Sequence, residues 1–167
     1  MKTLILVRHA KSSWDHDDLR DFDRPLNDRG LHDAPEMAAY LKEQNIIPDV
    51  IVTSPALRAY TTAQIMAQTL QVVTSQILTP CDGIYEGHSQ NLLDVISKTP
   101  RAHQVMMLVG HNPSITNLAN NLTHQFIENV PTCGVLTIDF DVDDWQQINA
   151  RGGVLNRFVS PKSIRQQ

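Results

Sequence analysis

The stretch TLILVRH, residues 3–9, is an apolar run that ends in an arginine and a histidine. Its apolar part, residues 4–7, lacks the alternation of a half-exposed strand and is typical of a strand buried on both faces of a parallel sheet. Two later runs, at residues 50–52 and 105–109, have the same character. Because helix-like segments separate the three runs, the sequence predicts an α/β fold with a mainly parallel sheet.

Segments with a helical spacing of apolar residues lie between these strands. One follows Asn27, a good N-terminal cap, and contains Pro35, which predicts either a kink or the true first turn. Further helices are expected at residues 56–70 and 89–98, and Pro113 suits the first turn of a helix through residue 122. Additional strands are expected at residues 72–78, 135–140 and 145–148, with an antiparallel strand near the C-terminus. The whole chain, residues 1–167, is expected to form a single domain.

Composition narrows the functional classes. The 167 residues include 14 Lys and Arg against 18 Asp and Glu, a net charge of -4, so the electrostatic footprint of a nucleic-acid-binding protein is missing. No apolar run reaches the ~18 residues of a membrane span. Cys81 and Cys133 form no CxxC pair, so we expect structural thiols in a cytoplasmic protein. The acidic run at residues 15–18, with His16, lacks the glycine and spacing of a calcium loop, and we expect no metal and no cofactor.

Polar side chains follow all three buried strands. Arg8 and His9 end the first, Arg58 lies just beyond the second, and His111 follows the third. Each has an ordinary explanation, such as a helix cap, but the carboxyl ends of parallel strands meet at one crevice, where ligands bind. Guanidinium groups match phosphate oxygens, and their charge keeps a nearby imidazole neutral and nucleophilic. The sequence therefore predicts a phosphoryl-transfer site that needs no metal.

The same residues belong to longer motifs that resemble a known family. These are LVRHAKSSW (6–14), DRPL (23–26) with RG (29–30), VTSPALRA (52–59) with TTA (61–63), and VGHNP (109–113). In this order they resemble the histidine phosphatase superfamily, the clan of the cofactor-dependent phosphoglycerate mutases. Ala10 stands where glycine is usual; with Lys11, Ser12 and the DRPL motif it indicates the SixA-type phosphohistidine phosphatase branch. The resemblance runs from Met1 towards the C-terminus and is weakest beyond Pro131.

The resemblance implies a phosphoglycerate mutase-like three-layer α/β/α sandwich. It also implies that His9 becomes phosphorylated, while Arg8, Arg58 and His111 bind the phosphoryl oxygens and stabilise the transition state. Three weaker candidates are Glu86, placed about where larger relatives carry an acid/base carboxylate, and Asn112 and Lys11 as phosphate ligands. For each of these three, an ordinary loop or turn residue is the competing interpretation.

The predicted activity is that of a metal-independent phosphatase with a covalent phosphohistidine intermediate on His9. A protein phosphohistidine is the favoured substrate, because a short chain leaves little material for a lid over the site. The partner is therefore expected to be a phosphorylated protein, such as a phosphorelay histidine, or a small phosphoester, with no nucleic acid and no membrane. Two alternatives stay open: a promiscuous small-molecule phosphomonoesterase, and a catalytically silent phosphate-recognising module. The oligomeric state is not predicted.

Overall fold

A computed structural model describes residues 1–72 and 78–166. Its six strands form one sheet in the order β3-β2-β4-β1-β5-β6. The strands are β1 (Lys2–Arg8), β2 (Val50–Thr53), β3 (Leu78–Pro80), β4 (Val105–Gly110), β5 (Val135–Phe140) and β6 (Gly153–Val159). Most of the strand expected at residues 72–78 lies outside the described residues.

Neighbouring strands from β3 to β1 pair in parallel, whereas β5 pairs antiparallel with both β1 and β6. Within the described sheet, β5 therefore runs against the other five strands. This arrangement confirms the mainly parallel sheet with an antiparallel strand near the C-terminus.

Helices cover both faces of the sheet. They are α1 (Asp28–Glu43), α2 (Leu57–Thr69), α3 (Asp82–Tyr85), α4 (Ser89–Ser97), α5 (Ser114–Leu122) and α6 (Pro161–Arg165). Successive residues of β1 point to opposite faces, so Ile5 and Val7 pack with α1 and α2, whereas Leu4 and Leu6 pack with α4 and α5. Two separate cores result, which confirms the three-layer α/β/α sandwich. Among the described helices, none combines the length and the apolar character needed to cross a membrane.

The start of α1 is anchored to the segment that follows β1. The Asn27 side chain accepts a hydrogen bond from the Gly30 N–H at 2.9 Å, as predicted for an N-terminal cap. Gly30 lies directly against the Lys11 carbonyl, where an added Cβ would clash with backbone atoms. Pro35 lies well inside α1, so the alternative that it marks the first turn is wrong.

One predicted strand is wrong and one strand was missed. Residues 145–148 were expected to be extended, but Trp145–Gln147 forms a 3₁₀ turn that Asp144 caps. Trp145 and Ile148 are both buried and lie three residues apart, the repeat of a 3₁₀ turn, which explains why their spacing does not mark a strand. The missed strand is β6, an edge strand on which Val154 and Phe158 are exposed.

Candidate active site

The register of the parallel strands brings the predicted residues together at the carboxyl ends of β1, β2 and β4. Arg8 of β1 pairs with Gly110 of β4, and Thr53 of β2 pairs with Val109. The next residue of each strand therefore emerges beside the others. The His9 N–H donates to the Gly110 carbonyl at 3.0 Å, and the Ser54 N–H donates to the Val109 carbonyl at the same distance.

A cavity of about 250 Å³ opens at the carboxyl ends of these strands. Its walls contain four arginine or lysine side chains, both predicted histidines and four further residues: Arg8, His9, Lys11, Ser12, Trp14, Arg24, Arg58, His111, Asn112 and Thr132. His9, Arg58 and His111 are each only 7% exposed. The structure thus brings together six of the seven residues that the sequence singled out. Two larger cavities, of about 370 and 340 Å³, lie elsewhere, and their walls hold none of these residues.

His9 has the tautomer that a nucleophile at Nε2 requires. Its Nδ1 lies 2.7 Å from the Ala10 carbonyl oxygen, and since a carbonyl can only accept, Nδ1 carries the proton and Nε2 keeps its lone pair. Burial, with the charges of His111, Arg58 and Arg8, lowers the pKa of His9 to about 3, against the opposing effect of the Ala10 hydrogen bond. The ring is therefore neutral at physiological pH.

His111 is fixed through its other nitrogen. Its Nε2 lies 2.7 Å from Ser54 Oγ, and its ring centroid lies 5.1 Å from that of His9. Burial and the charges of Arg58 and Arg8 lower the pKa of His111 to about 4, although Asp21 acts in the opposite direction. Its Nδ1 is buried and has no hydrogen-bond partner in the part of the chain that the structure describes.

The Arg8 guanidinium uses only some of its donors on other protein groups. Arg8 donates from Nη1 to the Val130 carbonyl at 3.0 Å, while its buried Nε has no partner within residues 1–72 and 78–166. Leaving a buried polar group unpaired costs about 1–3 kcal/mol, and more for a charged group. Arg8 Nε and His111 Nδ1 are two of the three such atoms among the described residues, and both belong to cavity-lining side chains. A site with unused ring and guanidinium nitrogens is suited to an anion with several oxygens.

Arg24 and Trp14 form the rim of the cavity. The Arg24 guanidinium donates to the Ser13 carbonyl and to Ser12 Oγ, and its carbon lies 3.3 Å from the centroid of the Trp14 ring. Arg24 is buried, whereas Trp14 is 72% exposed. The acidic partner of Arg24 is Asp21, whereas the adjacent Asp23 pairs with Arg20.

Glu86 does not line the His9 cavity. It is exposed, in the wall of a neighbouring depression of about 230 Å³ that shares His111 and Asn112 with the first. Asn112 uses its amide hydrogens on Asn129 Oδ1 and the Val130 carbonyl, so it braces the loop before β5. The roles of Glu86, Asn112 and the half-buried Lys11 remain predictions.

The structure adds residues that the sequence did not single out. Asp21 contacts both Arg24 and Arg58, Tyr85 donates to Asp21, and Ser54 contacts His111. Asp21 lies in an acidic stretch in which nothing distinguished it from its neighbours, whereas Ser54 could have been found because it directly follows a buried strand.

Cys81 and Cys133 are both free thiols. The acidic run at residues 15–18 is exposed throughout.

Within the described ranges, three ligand-type side chains come close together only on α1. These are His32, Asp33 and Glu36, and the Arg165 guanidinium of α6 donates to the carboxylates of Asp33 and Glu36. The group therefore acts as a salt-bridge cluster that fastens α6 to α1.

Comparison with known proteins identifies the class of this fold and site. Residues 4–92 match the model of the histidine phosphatase superfamily, branch 1. A chloroplastic protein of uncharacterised function from Arabidopsis thaliana is 32% identical over 97% of this chain and 79% of its own length. The chain belongs to the histidine phosphatase superfamily.

Solved structures of similar shape support a phosphatase of the SixA-type branch. An Agrobacterium tumefaciens protein described as a phosphohistidine phosphatase SixA has a TM-score of 0.82 and 26% identity, covering 96% of this chain and 98% of its own. A protein histidine phosphatase SixA complexed with tungstate has a TM-score of 0.83 and covers 97% of this chain and 99% of its own. At 21% identity, this similarity supports the fold alone. The 2,3-bisphosphoglycerate-dependent phosphoglycerate mutase of Mycobacterium leprae is 41% identical, but over only 40% of this chain and 28% of the mutase.

Proposed function

We propose that this protein hydrolyses phosphohistidine on partner proteins through a covalent phosphohistidine intermediate on His9. One observation carries the proposal: a buried, neutral His9 with its lone pair on Nε2 shares a cavity with Arg8, Arg58 and His111. A binding module would need the cationic groups but has no use for a histidine whose tautomer leaves a nucleophilic nitrogen free.

In the first half-reaction, His9 Nε2 attacks phosphorus while the bond from phosphorus to the substrate's imidazole nitrogen breaks. The leaving imidazole keeps the electron pair of that bond and departs neutral when its other nitrogen already carries a proton. Arg8, Arg58 and His111 line the cavity that would hold the phosphoryl oxygens, and fixed donors of this kind stabilise a loose phosphoryl-transfer transition state.

In the second half-reaction, water attacks the phosphorus of phosphorylated His9. The bond between phosphorus and Nε2 breaks, its electrons return to Nε2, and the protons of the water leave with inorganic phosphate or pass to solvent. The hydrogen bond from Nδ1 to the Ala10 carbonyl is compatible with both steps, because neither needs the Nδ1 proton to move.

Two features support a protein substrate over a small phosphoester. The rim carries the exposed Trp14 above the buried Arg24, a surface that a protein partner can contact. The carboxylate expected to act as an acid, Glu86, lies outside the wall of the His9 cavity, and a phosphohistidine leaving group has less need of an acid than an alkoxide has. The names of the SixA structures agree with this substrate class.

The covalent step is tested by quenching the protein in alkali during turnover of a ³²P-labelled phosphoester. We expect label that is stable to base, labile to acid, and absent from His9→Ala. A folded His9→Ala variant with substantial turnover would refute the covalent mechanism, and a wild-type protein that binds phosphate without turnover would identify a silent binding module. Turnover should persist after exhaustive treatment with EDTA, since no step uses a metal.

The substrate class is tested by comparing kcat/KM for a phosphohistidine-containing phosphotransfer domain, a phosphoserine peptide and a sugar phosphate. The proposal requires a clear preference for the phosphohistidine protein. Equal values for all three would identify the promiscuous phosphomonoesterase instead.

A further inference from the structure

Asp21 links several side chains of the active-site region. Its side chain is 52% exposed, in the 3₁₀ turn Asp21–Asp23 between β1 and α1. Oδ1 accepts from Arg24 Nη1 at 3.0 Å, and Oδ2 accepts from Arg58 Nη2 at 3.0 Å and from the Tyr85 hydroxyl at 2.8 Å. The Asp21 carbonyl also accepts from Arg58 Nη1 at 2.7 Å.

Asp21 meets Arg58 from outside the His9 cavity. The cavity walls include Arg58 and Arg24 but not Asp21. A guanidinium carries five N–H donors, and Asp21 uses one on each terminal nitrogen of Arg58, so three remain for a ligand. The aspartate can therefore hold the arginine while the arginine binds an anion.

Tyr85 connects the same carboxylate to the opposite side of the site. Its ring lies edge-on to His111 with centroids 5.7 Å apart, and to Phe22 with centroids 5.0 Å apart. Burial alone would raise the pKa of Asp21, but hydrogen bonds from Tyr85, Arg24 and Arg58 outweigh it and lower that pKa to about 2. The carboxylate is therefore charged wherever His9 is neutral, which rules it out as a proton donor and suits it to holding a cation.

We propose that Asp21 is the positioning residue for Arg58, holding its guanidinium in the orientation that the transferring phosphoryl group requires. The role rests on the proposed function, because it has meaning only where Arg58 stabilises a phosphoryl transition state. The opposite role, a carboxylate that competes with phosphate for Arg58, fits less well because Asp21 lies outside the cavity walls.

The test is Asp21→Asn, with 4-nitrophenyl phosphate as substrate and inorganic phosphate as competitive inhibitor. Asparagine keeps the shape but loses the charge that holds two arginines. We expect kcat to fall roughly 10- to 100-fold, the scale of a small misplacement of a catalytic group. The inhibition constant for phosphate should stay the same or decrease, since a negative charge beside Arg58 has been removed. Asp23→Asn is the matched control, because Asp23 lies in the same turn but pairs with Arg20; its kcat should not change.

A pH profile separates positioning from a general loss of structure. Asp21 raises the pKa of His111, so its neutralisation should move the acid limb of kcat/KM to lower pH, which a merely loosened loop would not do. If Asp21→Asn does not fold, Tyr85→Phe removes one hydrogen bond to the same carboxylate and should lower kcat by a smaller factor without weakening phosphate inhibition.

Two results would overturn the role of Asp21. A higher kcat/KM together with tighter phosphate inhibition would show that Asp21 competes with phosphate for Arg58. An unchanged kcat in a folded Asp21→Asn variant would show that Asp21 is a surface residue without a role in catalysis. If Asp21→Asn does not fold, an unchanged kcat in Tyr85→Phe would show the same. A wild-type protein without phosphatase activity refutes the proposed function and this role with it. An active wild type with an unaffected variant refutes this role alone.

Discussion

At the scale of single residues, His9 and His111 differ in which nitrogen is engaged, although their rings are neighbours. His9 is held through Nδ1, which leaves the lone pair on Nε2 free, whereas His111 is held through Nε2 by Ser54. Two histidines with similarly lowered pKa values thus differ in the nitrogen that is left free, because the hydrogen bond of each ring fixes the other one.

Arg58→Ala should lower kcat by about 10²–10³, the usual effect of deleting one fixed charge-stabilising donor. Arg58 is buried and its remaining donors have no substitute on the α2 side of the cavity wall. Steady-state kinetics with 4-nitrophenyl phosphate measure the effect. A change in KM with kcat intact would show instead that Arg58 only binds the ground state.

Glu86→Gln distinguishes an acid from a rim residue. If Glu86 protonates leaving groups, the variant should slow hydrolysis of an alkyl phosphate by roughly 10²–10⁴ and that of phosphohistidine far less. Because Glu86 lies in the neighbouring depression, we expect a small effect on both substrates. Burst kinetics check whether dephosphorylation of His9 limits both rates. A large effect confined to alkyl esters would count against a protein substrate.

At the scale of secondary-structure elements, the close approach of α1 to the segment after His9 is testable. Gly30→Ala places a methyl group against the Lys11 backbone, which cannot move as a flexible side chain can. We expect a loss of about 1–3 kcal/mol in the free energy of unfolding, measured with urea, and reduced turnover as the Lys11 segment shifts. Gly83→Ala in α3 is the control, because the nearest atoms to its added Cβ lie 3.9 Å away; an equal loss there would contradict the steric argument.

The elements that the sequence predicted well are those whose packing leaves a strong local pattern. The central strands β1 and β4 are buried on both faces and therefore read as continuous apolar runs. β6 escaped prediction because it lies at the sheet edge, where exposed apolar residues interrupt the alternation. The 3₁₀ turn at Trp145 was mistaken for a strand because a segment of four residues contains its repeat of three only once.

The cavity could be predicted for a similar reason, whereas its supporting contacts could not. Arg8, His9 and His111 lie at strand ends, and parallel strands bring such positions together whatever the loops do. The contact of Asp21 with Arg58 joins residues 37 positions apart through a loop whose path no periodicity records. Proximity in sequence is no guide either, because Asp23 is adjacent to Arg24 and pairs with Arg20 instead.

At the scale of the whole molecule, the site should make the protein sensitive to acid. His9 and His111 have folded-state pKa values of about 3 and 4, below the ordinary 6.5. Between pH 6.5 and these values the unfolded chain binds protons that the folded protein does not, so stability falls as the pH falls. At pH 5 each histidine should cost about 2 kcal/mol relative to pH 8.

Urea unfolding from pH 8 to pH 5 measures this loss. The double variant with His9→Asn and His111→Asn should show a flatter dependence, because the two groups responsible have been removed. An equally steep dependence in the double variant would place the responsible groups elsewhere.

The hydrogen bond that selects the tautomer of His9 ends on the main chain of Ala10. Every amino acid that a codon can specify carries that same carbonyl, so no missense change at position 10 deletes the acceptor. Replacing the buried Ala10 can crowd the core, yet the preference for a proton on Nδ1 should persist in any variant that still folds. The position of this proton is thereby shielded from mutation, as it would not be if a carboxylate side chain accepted the same hydrogen bond.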